Sequence, residues 1–327
     1  MSKLTLIAGG STLVYAVLAV LMGVLPGMVL SRTKPGPGVV PLTPLQREGR
    51  DVFVANGCSY CHTQQVRPLA EDAVFGRPSS AGDYAYETPE LLGSERNGPD
   101  LTNIGVRQPS EVWQYMHLYN PRSVVPQSIM PDFSFLFEVV AKAPAGVTPV
   151  AIPKPYAPEH GVVIPTRKAQ ALVAYLLSRK QATIPGYSPP ATAPSGTAAA
   201  AAAATSSATA AGKATFDAAA GARLFAANCQ SCHQASGEGI PGVFPPLKGD
   251  PVETAADPTE QISIILHGLE GKTIGGVAYP GQMPAFAAQL GDDEIADIIA
   301  HERTSWGNKA PLATAAQVAA ERAKPAH

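Results

Sequence analysis

From Leu4 to Ser31 no charged residue interrupts the chain. Leu4 to Leu30 would run about 40 Å as a helix at 1.5 Å per residue, enough to cross a hydrocarbon core. The run is longer than the apolar core of a cleaved leader and no small-x-small site closes it, so it predicts one transmembrane anchor over residues 1–34. Lys3 on one side and Arg32 with Lys34 on the other nearly balance, so the flanking charges leave orientation open. Pro35, Pro37 and Pro41 then make a stiff exit.

Past this exit the pattern changes to short amphipathic helices. Leu45 to Asn56 reads as one, Ser110 to Tyr119 as another, and Thr166 to Ala182 as a third whose Ala169, Leu172, Tyr175 and Leu176 form one apolar stripe. Ala143 to Pro165 is Pro-rich and aperiodic, which predicts a long surface loop. Ile184 to Thr215 holds Pro, Ala, Ser, Thr and Gly with almost no large apolar residue, too little to bury, and reads as a linker. A further helix opens at Asp292 as N-cap, with Ile295, Ile298 and Ile299 inward. The expected division is an anchor (1–34), a first domain (42–184), a linker (185–214), a second domain (215–306) and an Ala-rich tail (307–327). The fold class is mainly α.

The two domains repeat one pattern. Gly49 and Phe53 precede Cys58 as Gly221 and Phe225 precede Cys229. Pro99-Asp100-Leu101 answers Pro245-Pro246-Leu247, Met130-Pro131-Asp132-Phe133 answers Met283-Pro284-Ala285-Phe286, and an amphipathic helix closes each domain.

Composition sharpens this picture at two points. A net charge of -2 gives no basic footprint, which excludes nucleic acid as a partner. The 4 cysteines all fall inside two Cys-x-x-Cys-His pentapeptides, at Cys58, Cys61 and His62 and at Cys229, Cys232 and His233, so none remains for a disulfide framework. Zinc would need two more thiolates or imidazoles per site, and a redox dithiol would need a βαβ context. Two thiols at this spacing suit covalent attachment to the two vinyl groups on one porphyrin edge, with the next histidine facing the iron. The expected cofactors are two haems c, with His62 and His233 as proximal ligands.

Met283 is the only methionine after His233, so a thioether ligand in the second domain has no other source. In the first domain Met116 and Met130 both qualify. Met116 lies among the apolar residues of a helix, as a core residue does, whereas Met130 lies in a loop and shares Met-Pro-x-Phe with Met283. A following proline confines Met130 to extended backbone and stiffens the loop. Met130 is the favoured ligand, and His117 or His267 the alternative to methionine. His/Met ligation fills both axial positions, which suits electron carriage and leaves no catalytic residue to assign. His160, His301, Trp113, Trp306 and the charged side chains at helix ends read as packing or solvated surface.

From Leu45 to about Ala182 the chain resembles the monohaem cytochrome c subunit of cbb3-type oxidases, subunit II or FixO. The resemblance rests on Leu45-Gln46-Arg47-Glu48-Gly49, on Cys58-Ser59-Tyr60-Cys61-His62-Thr63-Gln64-Gln65-Val66-Arg67-Pro68, on Gly93-Ser94-Glu95-Arg96-Asn97-Gly98-Pro99-Asp100-Leu101, and on Asn120-Pro121-Arg122 with Met130-Pro131. The second domain is similar to class I cytochromes c, with less specific flanks. This resemblance implies cytochrome c-like helical folds in which carbonyls of Pro99 and Pro245 orient His62 and His233. It also implies an electron-transfer subunit, itself non-catalytic, working beside a haem-copper membrane subunit with b-type haem and fed by a soluble or membrane donor. It implies a single-pass protein of the bacterial cytoplasmic membrane with both domains facing the periplasm. A free membrane-anchored dihaem carrier and a nitric oxide reductase-type subunit are the alternatives. Fusion of the second domain departs from the usual form of subunit II.

Overall fold

The computed structural model describes residues 2–182 and 216–324; the expected linker at 185–214 lies outside them. The first helix, α1 (Lys3–Leu30), is apolar along its length and none of it is covered by the rest of the chain. Such a helix gains nothing by folding in water and a great deal in lipid, where its backbone donors and acceptors are already paired. It is regular except for one π-helical turn at Val20–Val24.

The first domain is built on two crossing helices, α2 (Pro44–Ala55) and α4 (Arg167–Ser178), with α3 (Glu111–Tyr119) packed beside them. A capping box opens α2: Gln46 N donates to Thr43 Oγ1 at 3.3 Å, and Thr43 N donates to Gln46 Oε1 at 2.9 Å. Gly49 sits at the crossing, where an added Cβ would lie 1.9 Å from the Ala171 carbonyl oxygen. The helices meet backbone to backbone there. Phe53 and Tyr175 close the seam edge to face at 5.7 Å. A Gly49→Ala chain is therefore expected to lose about 1–3 kcal/mol of stability, the usual effect of overpacking, measured by denaturant unfolding of the mature protein. An unchanged midpoint would contradict this crossing.

The second domain repeats the arrangement. Helix α5 (Ala218–Asn228), capped by Asp217, crosses α7 (Asp292–Thr304) at Gly221, where a Cβ would lie 2.3 Å from the Asp297 carbonyl oxygen. Helix α6 (Thr259–His267) lies against α7, and Ile262, Leu266, Ile295, Ile298 and Ile299 form the core between them.

Two expectations change, the aperiodic loop and the N-cap of α7, and two features add to the sequence reading. Within the stretch read as a loop, β2 (Val162–Pro165) pairs antiparallel with β1 (Phe137–Val140) and buries Val163. In the second domain, β3 (Leu269–Ile274) and β4 (Val277–Met283) form a hairpin, so Met283 ends a strand. The N-cap of α7 is Gly291, one residue before Asp292, with Glu294 accepting from Gly291 N at 2.8 Å. The tail folds back as α8 (Ala315–Arg322), whose Val318 is fully buried in the second core. Arg303 explains the return: wholly buried, it donates to the carbonyls of Ala255 at 2.7 Å and Pro311 at 2.9 Å, tying the chain after α7 onto the domain.

The two domains touch. Ile240, Val243 and Phe244 of the second continue the apolar cluster that holds Trp113, Met116 and Leu118 of the first. A cleft runs between Val106, Pro109 and Lys180 on one side and His267, Gln282 and Met283 on the other.

Candidate haem sites

Each pentapeptide begins where its leading helix ends. After α2, Gly57 takes a left-handed turn (φ 69°) that a side chain would strain, and the chain tightens into a short 3-10 turn, Cys58–Tyr60. In the second domain α5 passes almost directly into the short helix Gln230–His233. Either way, one turn separates the two sulfurs and the histidine follows on the same side. The sulfurs of each pair are not joined as a disulfide.

Both histidines are held from behind by a carbonyl. His62 Nδ1 donates to the Pro99 oxygen at 2.8 Å, and His233 Nδ1 donates to the Pro245 oxygen at 2.9 Å. This fixes the tautomer and leaves Nε2 with its lone pair free for a metal. Gly98 lies flat against the His62 ring, where a Cβ would come within 2.2 Å of Cε1. Burial lowers both histidine pKa values, and the proline carbonyls act against that shift only in part. The imidazoles are thus neutral at pH 7, as ligation requires.

In the second domain the site is a single pocket. Cys229, Cys232, His233, Pro245 and Met283 all line it, with Phe244, Ile264, Ile265, Leu269 and Phe286 as apolar walls. Met283 is partly buried against the second core. In the first domain Cys58 and Met130 pack against one apolar cluster, while Met116 is fully enclosed within it. Burial first, then the nearby His62, push the His117 pKa down to about 3, and its ring stacks on Trp113 at 4.5 Å. His301 packs among Phe225 and Trp306, and Trp306 Nε1 donates to the Ala235 oxygen at 2.9 Å.

The donor chemistry fits a porphyrin better than a bare metal ion. Burial pushes the Cys58 and Cys232 thiols up to about 11 and Cys229 well above its ordinary value, which disfavours the thiolates zinc would need. Among the described residues no group of three His, Cys, Asp or Glu side chains converges as an ion site. A flat apolar ring bonded through its edge needs neutral sulfur, apolar walls and one oriented imidazole, and the second cavity supplies all three.

Sequence reading missed the polar lining. Glu253, Gln261, Lys272 and Glu302 all face the second cavity, although the charged residues at helix ends read as solvated surface. Glu302 and Arg303, in the last turn of α7, are 3% and 0% exposed. In the first domain Arg107 is half-buried near His62, and the buried Asp100 accepts from Thr63 Oγ1 at 2.6 Å and from the Thr102 amide at 2.8 Å. No local pattern marks these charges as buried.

Comparison with known proteins supports both halves. The sequence model of the family described as "Cytochrome C oxidase, mono-heme subunit/FixO" matches residues 2–154, and that of "Cytochrome c" matches residues 218–306. Cytochrome c-552 of Thermus thermophilus is 44% identical over 92 residues, 27% of this chain and 69% of that protein. Cytochrome c6 of Leptolyngbya boryana is 35% identical over 82 residues, 25% of this chain and 85% of its own length. The cytochrome c subunit of the quinone alcohol dehydrogenase of Gluconacetobacter polyoxogenes is 39% identical over 106 residues, 30% of this chain but only 21% of that subunit. With its paired haem c attachment motifs and its apolar N-terminal helix, the chain belongs to the cytochrome c family, as a membrane-anchored electron-transfer subunit that joins a FixO-type region to a second cytochrome c domain.

Proposed function

We propose that this chain is the electron-transfer subunit of a cbb3-type haem-copper oxidase. The FixO match over residues 2–154, which takes in the anchor and the first Cys-x-x-Cys-His, is the observation that carries this reading. Haem c held at the two sites would supply reversible one-electron storage, the second domain taking electrons from the donor and the first passing them toward a b-type haem in the catalytic membrane subunit. The residues do the holding. Cys58 with Cys61, and Cys229 with Cys232, would hold the ring edge, and His62 with Met130, and His233 with Met283, would ligate the iron. The Pro99 and Pro245 carbonyls keep the imidazoles from rotating. Leu118, Val243 and Phe244 belong to one apolar cluster, which supports contact between the two domains. Thioether attachment takes place outside the cytoplasm, which supports a periplasmic position for both domains and an anchor with its N-terminus inside.

The similarity to alcohol dehydrogenase cytochrome subunits favours one second reading, a subunit that drains a membrane dehydrogenase. Isolation of the complex through this chain from native membranes separates the two. The oxidase reading expects a polytopic partner containing b-type haem and copper. A dehydrogenase partner, or c-type haem with no partner, would overturn it.

A further inference from the structure

We infer that Glu253 is a proton-accepting site coupled to the second haem, so that one proton binds its carboxylate when that haem takes up an electron and leaves on reoxidation. The inference rests on haem c occupying the cavity that holds Cys229 and His233. Two carboxyls line this apolar cavity, Glu253 from the loop before α6 and Glu302 from α7, exposed by only 5% and 3%. Neither is close in sequence to His233 or Met283.

Their partners differ. Glu302 Oε2 accepts from Gln261 Nε2 at 2.8 Å, and the Arg303 guanidinium beside it is held by Gln261 and backbone carbonyls. Glu253 Oε2 has no donor, and Asp250, within hydrogen-bonding reach, has an undonated oxygen of its own in Oδ2. Two facing acceptors with no hydrogen between them are repulsive; a proton on Glu253 turns the pair into a hydrogen bond. The charged groups facing Glu253 are Asp250 on its own loop, Glu302 and Arg303 on α7, and Lys272 on β3. Lys272 Nζ is already engaged with Asp250 Oδ1 at 3.0 Å. Burial first, then the charges of Glu302 and Asp250, push Glu253 up to about 9, and Lys272 opposes them only in part. Burial pushes Glu302 up to about 7.

The coupling follows from charge. A ferric haem core carries one positive charge more than a ferrous one and so favours the Glu253 carboxylate; reduction removes that charge and raises the carboxyl's proton affinity. The electron comes from the donor and the proton from solvent. Among the described residues of the first domain the buried carboxylates are held by donors: Glu87, though its Oε2 also lacks a donor, accepts from the Arg179 guanidinium through Oε1. The buried Asp72, though burial alone would raise its pKa, is held below the usual carboxylate range by donors from Arg67 and Arg96, and Asp100 accepts from Thr63 and Thr102.

The test is a spectroscopic redox titration of the full haem-loaded chain in detergent at a series of pH values. A one-electron, one-proton couple moves by about 59 mV for each tenfold change in proton concentration. One haem potential is expected to fall with pH, approaching that slope between the carboxyl's pKa in the ferric state and its higher pKa in the ferrous state, while the other stays nearly flat. Glu253→Gln, with both haems retained, is expected to remove the slope. A flat wild-type pair, or an unchanged slope in E253Q, would overturn the inference. Should E253Q fail to mature, the infrared difference spectrum of the wild-type chain decides: reduction must raise a protonated-carboxyl band, and its absence overturns the inference. A variant that loses one haem altogether signals failure of the site, which haem content reports separately.

Discussion

Replacing Cys229 and Cys232 together by alanine is expected to leave a chain that still carries one covalent haem, at Cys58 and Cys61, and that no longer accepts electrons from its donor at the wild-type rate. The two sites are built on separate helix crossings, at Gly49 and at Gly221, so loss of one ring does not remove the walls of the other. Haem staining of the denatured polypeptide should fall by half, and the mass by one haem group. The converse pair, Cys58→Ala with Cys61→Ala, should also keep one haem but block transfer to the partner subunit while leaving reduction by the donor intact. Equal loss of donor reduction in both pairs would contradict the order of transfer. Complete loss of haem in either would contradict the independence of the sites.

The second large effect separates two methionines of the first domain. Met116 is fully buried inside the apolar cluster, while Met130 is partly buried at its edge and held in a loop in which Met130 N donates to Ser128 Oγ at 3.2 Å. Met116→Ala is expected to destabilise the domain by about 2–5 kcal/mol, as large-to-small core changes do, with the axial ligation of the first haem unchanged. Met130→Ala is expected to do the reverse. It should lose little stability from packing but remove the thioether-to-iron absorption of one haem and lower its reduction potential, since thioether ligation raises it. Magnetic circular dichroism with a denaturant titration reads both properties on the same samples. If Met130→Ala kept methionine ligation and Met116→Ala lost it, the assignment would be reversed.

Much of this was legible because it is local. A charge-free run of helix-spanning length, the stripe on α4, and two Cys-x-x-Cys-His pentapeptides all have meaning within a few residues of sequence. The paired glycines were visible as a repeat, but their reason was not: only the fold shows that Gly49 meets the Ala171 carbonyl and Gly221 the Asp297 carbonyl. Short strands such as Val162–Pro165 were hidden because a four-residue ladder gives too few alternations to stand out from a Pro-rich stretch. Arg303, Glu302 and Glu253 were hidden for a different reason. Charge in sequence suggests solvent, yet the Ala255 carbonyl and the Gln261 amide that hold Arg303 and Glu302 come from far away along the chain, the Pro311 carbonyl closes on Arg303 from just beyond α7, and Glu253 lies in the wall of the second cavity with one oxygen undonated. The return of α8 followed from the same contacts. Polar residues around the second haem were therefore the part of the site that needed the fold.

The most direct measurement is the intact mass of the mature polypeptide purified from native membranes under denaturing conditions. Two haem groups should remain bonded to the chain, and peptides spanning Cys58 to His62 and Cys229 to His233 should each carry one. A mass with no added haem, or with haem on neither peptide, would contradict the account.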